Sequence, residues 1–333
     1  MHTTGMCLLV IAGVMNASFA LPMKFVRGWA WENTWLLWSV FALLLFPAVL
    51  AFTTIPAFAG ILIGAGEVAL VVALFGAAWG VAQVLFGLAL DKIGMALTFS
   101  IVLGLSAAMG SIVPLIRLHA DRLFTRAGIV SLAGVALVLL GVATSAVAGK
   151  MRERTNSTDA ESKPHFGVGL VMAVASGICA SMMNVGFAYG APLAAAASTH
   201  GANSLWQTDA IWVPLMAGGF VPNLLYCVYL LRKRKSAGQY TARTIWPNVP
   251  LALGMGILWF GSSVLYGIAT AFLGELGPVV GWPLFMSLIV IVASVLGVWT
   301  GEWRGAGSRA LRTQVVAVVI LVAAVVVLSR ATF

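Results

Sequence analysis

The sequence predicts an all-α integral membrane protein with ten transmembrane helices, arranged as two inverted five-helix repeats. Three observations lead to this prediction: an apolar composition, ten long apolar runs, and a match between the two halves of the chain. Hydrophobic residues make up 61% of the 333 residues and charged residues 9%, against about 45–50% and about 25% in soluble proteins. So few charges cannot cover the surface of a soluble protein, and the same apolar excess excludes a disordered chain.

The ten apolar runs give the first level of organisation. A membrane helix needs about 20 predominantly apolar residues, and ten segments meet that requirement. In chain order, spans 1 to 10 are predicted at 4–22, 35–54, 69–90, 94–116, 127–149, 166–189, 209–231, 249–271, 277–299 and 312–330. Residues 18–20 could pass for a signal-peptidase site, but no Lys or Arg precedes them, whereas a signal peptide normally begins with positive charge. The first run is therefore interpreted as a membrane span.

The basic residues indicate the orientation of the chain. Of the 19 Lys and Arg residues, 15 lie in or at the edge of the loops after spans 1, 3, 5, 7 and 9, and 4 lie on the other side. Because Lys and Arg are retained in the cytoplasm, both termini are predicted to lie outside, in the periplasm of a bacterium. This placement explains the net charge of +9 without nucleic-acid binding. Cys7, Cys179 and Cys227 lie far apart, so they predict neither a disulfide framework nor a metal site.

The two halves of the chain resemble each other most clearly at spans 3 and 8. At a constant offset between residues 76–94 and 256–274, matched glycines and a matched tryptophan recur. The matched positions are Gly76, Trp79, Gly87, Ala89 and Gly94 with Gly256, Trp259, Gly267, Ala269 and Gly274. The predicted division is a first five-helix repeat over 1–149, a cytoplasmic linker over 150–165 and a second repeat over 166–333. Five helices per repeat invert the second one, which is typical of secondary transporters; an old duplication in a membrane protein that transports nothing is the alternative.

The matching faces of spans 3 and 8 carry chemistry suited to a small polar ligand. At about 100° per residue, Trp79 and Gln83 share one face of span 3, and Trp259, Ser263 and Tyr266 share one face of span 8. Aromatic rings pack on the C–H face of a sugar, while amides and hydroxyls bind its hydroxyl groups. The alternative is a tight helix–helix contact with tryptophan as filler. Together with polar and aromatic residues of spans 1, 6 and 9, the predicted substrate-binding residues are Asn16, Trp79, Gln83, Asn184, Trp259, Ser262, Ser263, Tyr266 and Trp282.

Acidic residues at the ends of spans are the candidates for ion coupling. An intramembrane carboxyl is the usual proton carrier of a coupled transporter, and Glu275, Glu67 and Asp209 lie near the outer ends of their spans. Glu275, between two candidate site helices, is the first choice, and solvated span ends are the alternative for all three. The chain has no H-E-x-x-H, G-x-S-x-G or phosphate-loop motif, so an enzyme is not predicted. No cofactor or metal is expected beyond the coupling proton.

Four sequence blocks resemble the L-rhamnose–proton symporter family. W-A-W-E-N-T-W follows span 1, G-A-A-W-G-V-A-Q-V-L-F-G-L-A-L-D-K-I-G-M-A-L covers span 3, G-W-P-L-F-M-S lies in span 9, and G-E-W-R-G-A-G follows it. The blocks keep the family's order across nearly the whole chain. The resemblance implies membership of the drug/metabolite transporter superfamily, with ten helices in two inverted repeats.

The resemblance also implies a function and residue roles. It implies uptake of a 6-deoxy-sugar driven by the proton gradient across the bacterial inner membrane, with L-rhamnose the best single candidate and the sugar and the bilayer as the partners. Trp79, Gln83, Trp259 and Trp282 are implied as cavity residues, and Glu32 and Glu302 as loop acids shared with the family. The alternatives are an exporter or facilitator of another small metabolite, or a membrane sugar sensor that transports nothing.

Overall fold

The protein is helical throughout the part of the chain that the computed structural model describes, which is residues 2–156, 166–301 and 303–332. Its α-helices are His2–Ser18, Trp31–Ser39, Phe46–Thr54, Phe58–Gly64, Gly66–Ile93, Met95–Leu118, Arg126–Asn156, Phe166–Tyr189, Ala191–Thr199, Asp209–Arg234, Ala242–Phe272, Gly277–Trp299 and Gly307–Ser329. The prediction of an all-α membrane protein is confirmed.

Ten candidate membrane spans are present in the described ranges, as predicted. They are Thr3–Phe25, Trp31–Thr54, Gly66–Ile93, Leu97–Leu118, Arg126–Arg152, Phe166–Thr199, Asp209–Arg234, Ala242–Phe272, Gly277–Trp299 and Gly307–Ser329. The predicted ends differ most for span 6, which continues past 189 through the helix Ala191–Thr199, and for span 8, which begins at Ala242 instead of 249. A Gly-Ala-Pro break in span 6 and the polar and proline residues at the start of span 8 explain why these extensions could not be predicted from apolar composition. Span 2 also begins earlier than predicted, at Trp31 instead of 35.

Span 2 contains a wide helical turn that the sequence did not predict. Residues Val40–Leu45 form a π-helix between the two α-helical parts of the span. Pro47 lies two residues after the end of this π-helix, and because proline has no N–H it cannot bond the carbonyl four residues before it. A π-turn next to such a position is a common way for a helix to absorb the missing bond.

The chain folds as two compact units, each drawing on both halves of the sequence. Unit 1 consists of Met1–Val14, Ala82–Val185 and Ala269–Phe333, and unit 2 of Met15–Val81 and Gly186–Ile268. In unit 1, span 5 packs against spans 4 and 10, and span 9 packs against spans 4 and 10. Because each unit contains segments from both halves of the sequence, the units do not test the predicted division into two repeats with a linker at 150–165. That division stays a prediction.

Unit 2 is built around the close packing of span 7. Span 7 packs along span 2 and against the helix Ala191–Thr199. It also approaches span 3 backbone to backbone, where a Cβ on Gly76 would collide with the Leu215 carbonyl and one on Gly218 with the Ala73 carbonyl. Helices approach this closely in membranes through small residues, since lipid supplies no hydrophobic force between them. The glycines of spans 3 and 7 therefore fix the position of Trp79 in unit 2.

Candidate functional site

Three tryptophans form a buried aromatic cluster in unit 2. The rings of Trp79 and Trp259 stack with centroids 5.3 Å apart and an interplanar angle of 27°. Trp38 of span 2 meets Trp259 edge-on at 5.3 Å and 81°. All three side chains are buried. The two tryptophans that were matched between spans 3 and 8 are thus in direct contact, and Trp38 is a member that sequence reasoning missed.

Amide and hydroxyl groups lie beside this cluster. Asn16 Nδ2 donates to Ser262 Oγ at 2.9 Å, and the Ser262 hydroxyl donates to the Trp259 carbonyl at 2.6 Å. Ser263 Oγ donates to the same carbonyl at 3.3 Å. The structure therefore brings together five of the predicted binding residues: Asn16, Trp79, Trp259, Ser262 and Ser263.

Hydrogen-bonding capacity remains unused around the aromatic cluster. The Trp38 indole N–H is buried and has no hydrogen-bond partner among the described residues. Gln83, one helical turn after Trp79 on span 3, belongs to unit 1, where it is half-buried and its amide makes no hydrogen bond to the described residues. A buried polar group without a partner is unfavourable by about 1–3 kcal/mol. Such donors and acceptors are what a polyhydroxylated ligand would satisfy.

Tyr266 belongs to a different aromatic group of unit 2. It lies two helical turns beyond Trp259 on span 8 and contacts the Phe187 ring at 5.5 Å. Phe187 in turn stacks on Trp212 of span 7 at 4.7 Å. Tyr266 is therefore not part of the cluster around Trp259, although both residues were predicted on one helix face.

In unit 1, Asn184 donates hydrogen bonds to two backbone carbonyl groups, one of which lacks its usual partner within the helix. Pro114 has no N–H, so the Gly110 carbonyl four residues earlier lacks its helix partner. Asn184 Nδ2 donates to that carbonyl at 2.7 Å and to the Pro278 carbonyl at 2.9 Å. Both bonds give Asn184 a structural function. Its predicted contact with substrate stays a prediction.

Trp282 has a comparable arrangement at the start of span 9. Its indole Nε1 donates to the Ser106 carbonyl at 2.9 Å, and its ring lies against Gly110. Next to it, the Ser111 hydroxyl donates at 2.6 Å to the Val279 carbonyl, which is the carbonyl that Pro283 leaves without a helix partner. The indole thus anchors span 9 to span 4 in the described conformation, and a role in binding substrate stays a prediction.

The three acidic candidates have different surroundings. Glu67 is exposed in the first turn of span 3. Glu275 is also exposed and pairs with Arg122, with Glu275 Oε2 and Arg122 Nη2 2.8 Å apart. Asp209, by contrast, is 1% exposed, and neither carboxylate oxygen has a hydrogen-bond partner among the described residues. Geometry therefore favours Asp209 over Glu275, the first choice from sequence.

Glu32 is not a loop acid, and that prediction is wrong. It lies in the first turn of span 2 and is 0% exposed. Its carboxylate accepts hydrogen bonds from Ser236 Oγ at 2.6 Å and Arg234 Nη1 at 3.0 Å. Composition placed it in a loop because the partner that makes its burial possible lies about 200 positions away. Glu302 lies outside the described residues.

The neighbours of Glu32 continue this polar network. Asn33 Nδ2 donates to the Ser236 carbonyl at 3.0 Å, and the Tyr240 hydroxyl donates to the Asn33 carbonyl at 2.9 Å. Burial raises the pKa of Tyr240 to about 12, so its hydroxyl remains a neutral donor at physiological pH. The network ties the W-A-W-E-N-T-W segment to the chain that follows span 7.

Fold and site together define a multi-pass helical membrane protein with a buried aromatic and amide cluster in unit 2. No group of three or more His, Cys, Asp or Glu residues in the described ranges could hold a metal ion. The chain belongs to the L-rhamnose-proton symport protein (RhaT) family, whose sequence model matches residues 2–332. This is a family of symporters and not of enzymes.

Curated relatives match over almost the whole length of both chains. A protein of Escherichia coli O17:K52:H18 (strain UMN026 / ExPEC) is 29% identical over 334 residues, covering 98% of this chain and 97% of its own. One of Pectobacterium carotovorum subsp. carotovorum (strain PC1) is 30% identical over 332 residues, covering 96% of each chain. One of Mannheimia succiniciproducens is 27% identical over 322 residues, covering 94% of this chain and 93% of its own. All three are named L-rhamnose-proton symporter.

Proposed function

We propose that the protein imports L-rhamnose together with protons by alternating access. The observation that carries this proposal is the family match over residues 2–332, together with relatives of the same length that are named L-rhamnose-proton symporters. The ten spans supply the membrane scaffold that such transport needs. Proton binding favours the loaded state that faces outward, and the sugar and proton are released on the other side.

The aromatic and amide cluster of unit 2 is the proposed sugar site. The stacked rings of Trp79 and Trp259 would pack on the apolar face of the pyranose, including its 6-methyl group. Asn16 and Ser262, which now bond to each other, would exchange that bond for sugar hydroxyls. Gln83, which belongs to unit 1, stays a proposed contact of the substrate on the strength of the sequence alone. This division between an apolar platform and a few polar groups is usual for small-molecule sites.

Three finer proposals concern the architecture. The chain belongs to the drug/metabolite transporter superfamily, and its two five-helix repeats are inverted relative to each other. Both termini lie in the periplasm, with the protein in the bacterial inner membrane. The matched positions of spans 3 and 8 support the repeat, and the excess of Lys and Arg on one side, 15 against 4, supports the orientation.

Uptake of radiolabelled L-rhamnose into proteoliposomes tests the proposed function. We expect accumulation above the external concentration when an inward proton gradient is imposed, and only equilibration without one. Other 6-deoxy-sugars should compete in a graded order. No uptake by folded, correctly oriented protein would contradict the proposal and favour another metabolite. Sugar binding without any flux would favour a sensor.

Replacement of Gln83 tests its proposed contact with the substrate. Gln83→Ala should weaken L-rhamnose binding about tenfold, because one hydrogen bond of about 1.5 kcal/mol is lost. Since the amide has no partner in the described part of the protein, the variant should keep its stability. The measurement is binding of L-rhamnose to purified protein, for example by isothermal titration calorimetry.

A matched control lies on span 8. Trp246 is on the same helix as Trp259 but is 79% exposed, so Trp246→Ala should leave binding unchanged. Trp259→Phe keeps an aromatic platform of smaller area and should weaken binding less than Trp259→Ala. Unchanged affinity in a folded Trp259→Ala protein would exclude this cluster as the sugar site, and unchanged affinity in Gln83→Ala would exclude Gln83 as a contact of the substrate.

A further inference from the structure

The most unusual ionisable group of unit 2 is Asp209, the first residue of the span 7 helix. It is 1% exposed, and both of its carboxylate oxygens are buried without a hydrogen-bond partner in the part of the chain that the structure describes. A buried carboxylate in a soluble or membrane protein is normally paired, because an isolated ionised carboxylate is strongly unfavourable away from water. The described conformation therefore suits the neutral, protonated carboxyl.

The elements packed against span 7 bring no charge to Asp209. Residues 40–54 of span 2 and the helix Ala191–Thr199 contain no Asp, Glu, Lys, Arg or His. The Thr54 hydroxyl faces Asp209 but donates at 2.7 Å to the Leu50 carbonyl. Glu67 and His200 are exposed. Glu32 and Arg234 pair with each other at the opposite end of span 7.

Two further unsatisfied groups lie next to Asp209 in the chain. The hydroxyl of Thr208 and the indole N–H of Trp212 are both buried without a hydrogen-bond partner in the described ranges. They converge on Gly267 of span 8, where an added Cβ would lie 2.8 Å from Thr208 Oγ1 and 3.1 Å from Trp212 Nε1. Trp212 is three residues after Asp209 and hence on the same side of the helix. Tyr266, the titratable group of span 8 in this region, contacts the Trp212 ring at 6.5 Å.

The protonated and the ionised forms of the Asp209 side chain prefer different surroundings. The neutral carboxyl tolerates the dry environment of the described conformation. After loss of its proton, the carboxylate needs donors, and the unused Thr208 hydroxyl and Trp212 N–H are available on the same stretch of span 7 once side chains or backbone move. Loss of the proton therefore favours a local rearrangement at span 7, which is what coupling requires: differential binding of the proton to two conformations.

We propose that Asp209 is the residue that binds and releases the coupling proton, with Thr208 and Trp212 as the donors that receive its ionised form. The inference rests on the proposed proton-coupled transport of L-rhamnose. The proton adds to a carboxylate oxygen from water on one side of the membrane and returns to water on the other, and no covalent bond of the sugar changes.

Asp209→Asn separates coupling from transport. The amide has nearly the same shape as the carboxyl but cannot exchange a proton, so we expect proton-driven accumulation of L-rhamnose to be lost. Exchange of internal for external L-rhamnose at equal pH should remain, because exchange needs no net proton movement. Addition of L-rhamnose to lightly buffered wild-type protein should change the pH, and Asp209→Asn should abolish this change while still binding the sugar.

The matched control is Asp121→Asn, the same change at an exposed aspartate between spans 4 and 5, which should keep coupling. Retained accumulation with the wild-type pH dependence in Asp209→Asn would overturn the proposal. So would loss of coupling in Glu275→Gln with normal coupling in Asp209→Asn. If Asp209→Asn does not fold, Asp209→Glu is measured instead: a displaced pH profile supports the proposal and an unchanged one overturns it. Absence of sugar exchange by the wild-type protein would refute the proposed function itself.

Discussion

Gly76→Ala should prevent the protein from reaching its native fold in substantial yield. The added methyl group would collide with the backbone carbonyl of Leu215, and this carbonyl cannot turn aside as a flexible side chain could. Gly218 meets the Ala73 carbonyl in the same way from the other helix. Relief requires spans 3 and 7 to move apart, which removes packing along the whole contact. We expect destabilisation of about 3 kcal/mol or more, at the upper end of the range for overpacked interiors.

Gly87→Ala is the matched control, because Gly87 lies on the same helix and an added Cβ meets no atom within 4 Å. Alanine is the better helix former by about 1 kcal/mol, so this variant should be as stable as the wild type or slightly more so. Thermal stability in detergent, followed by the monodisperse fraction on size-exclusion chromatography, distinguishes the two variants. Equal stability would mean that spans 3 and 7 do not approach as closely as described.

The membrane spans could be predicted from the sequence because one physical constraint determines them. The hydrocarbon core requires about 20 apolar residues per helix, and ten segments satisfy it. This requirement does not determine whether polar residues at the ends of spans are buried or exposed. The start of span 2 is polar in sequence, yet Glu32 is buried there because Arg234 and Ser236 meet it. A single sequence contains no local pattern from which a contact between residues so distant in the chain could be predicted.

The candidate site was predictable only where the two halves of the chain repeat each other. Trp79 and Trp259 were singled out because they match at a constant offset, and their rings stack in the structure. Trp38 has no such match, and only its one-turn spacing from Trp35 could have suggested a helical face. The sequence alone indicates Asn184 as an intramembrane amide that would bind substrate. Its actual partners include a carbonyl freed by Pro114, which can be recognised only when the two helices are seen together.

Burial of Asp209 was equally inaccessible from sequence. Its position at the start of an apolar run is compatible with a solvated span end, and Glu67 and Glu275, at comparable positions, are indeed exposed. What distinguishes Asp209 is the surrounding chain: uncharged residues 40–54 and the helix Ala191–Thr199 pack against span 7. The second of these lies beyond the predicted end of span 6.

Arg234→Ala should be the most destabilising single change among the residues that follow the apolar part of span 7. Glu32 is 0% exposed, and Arg234 is the cation that compensates its charge. Removing Arg234 leaves the buried Glu32 carboxylate with the Ser236 hydroxyl as its remaining side-chain partner among the described residues. Because the Arg234 side chain is 57% exposed and its charge is partly screened, we expect a destabilisation of about 1–3 kcal/mol. The W-A-W-E-N-T-W segment would then lose its connection to the end of span 7.

A double-mutant cycle tests this interpretation by separating the ion pair from the general effect of losing a basic residue. Arg232→Ala removes an exposed arginine from the same helical turn and should change stability by less than about 0.5 kcal/mol. Glu32→Gln combined with Arg234→Ala should be more stable than Arg234→Ala alone, because the double variant has no uncompensated buried charge. Thermal unfolding of the wild type, Glu32→Gln, Arg234→Ala and the double variant in the same detergent gives the interaction energy, with Arg232→Ala measured beside them as the control. Equal destabilisation by Arg232→Ala and Arg234→Ala, or no recovery in the double variant, would show that the network is held by its neutral hydrogen bonds instead of by the Glu32–Arg234 pair.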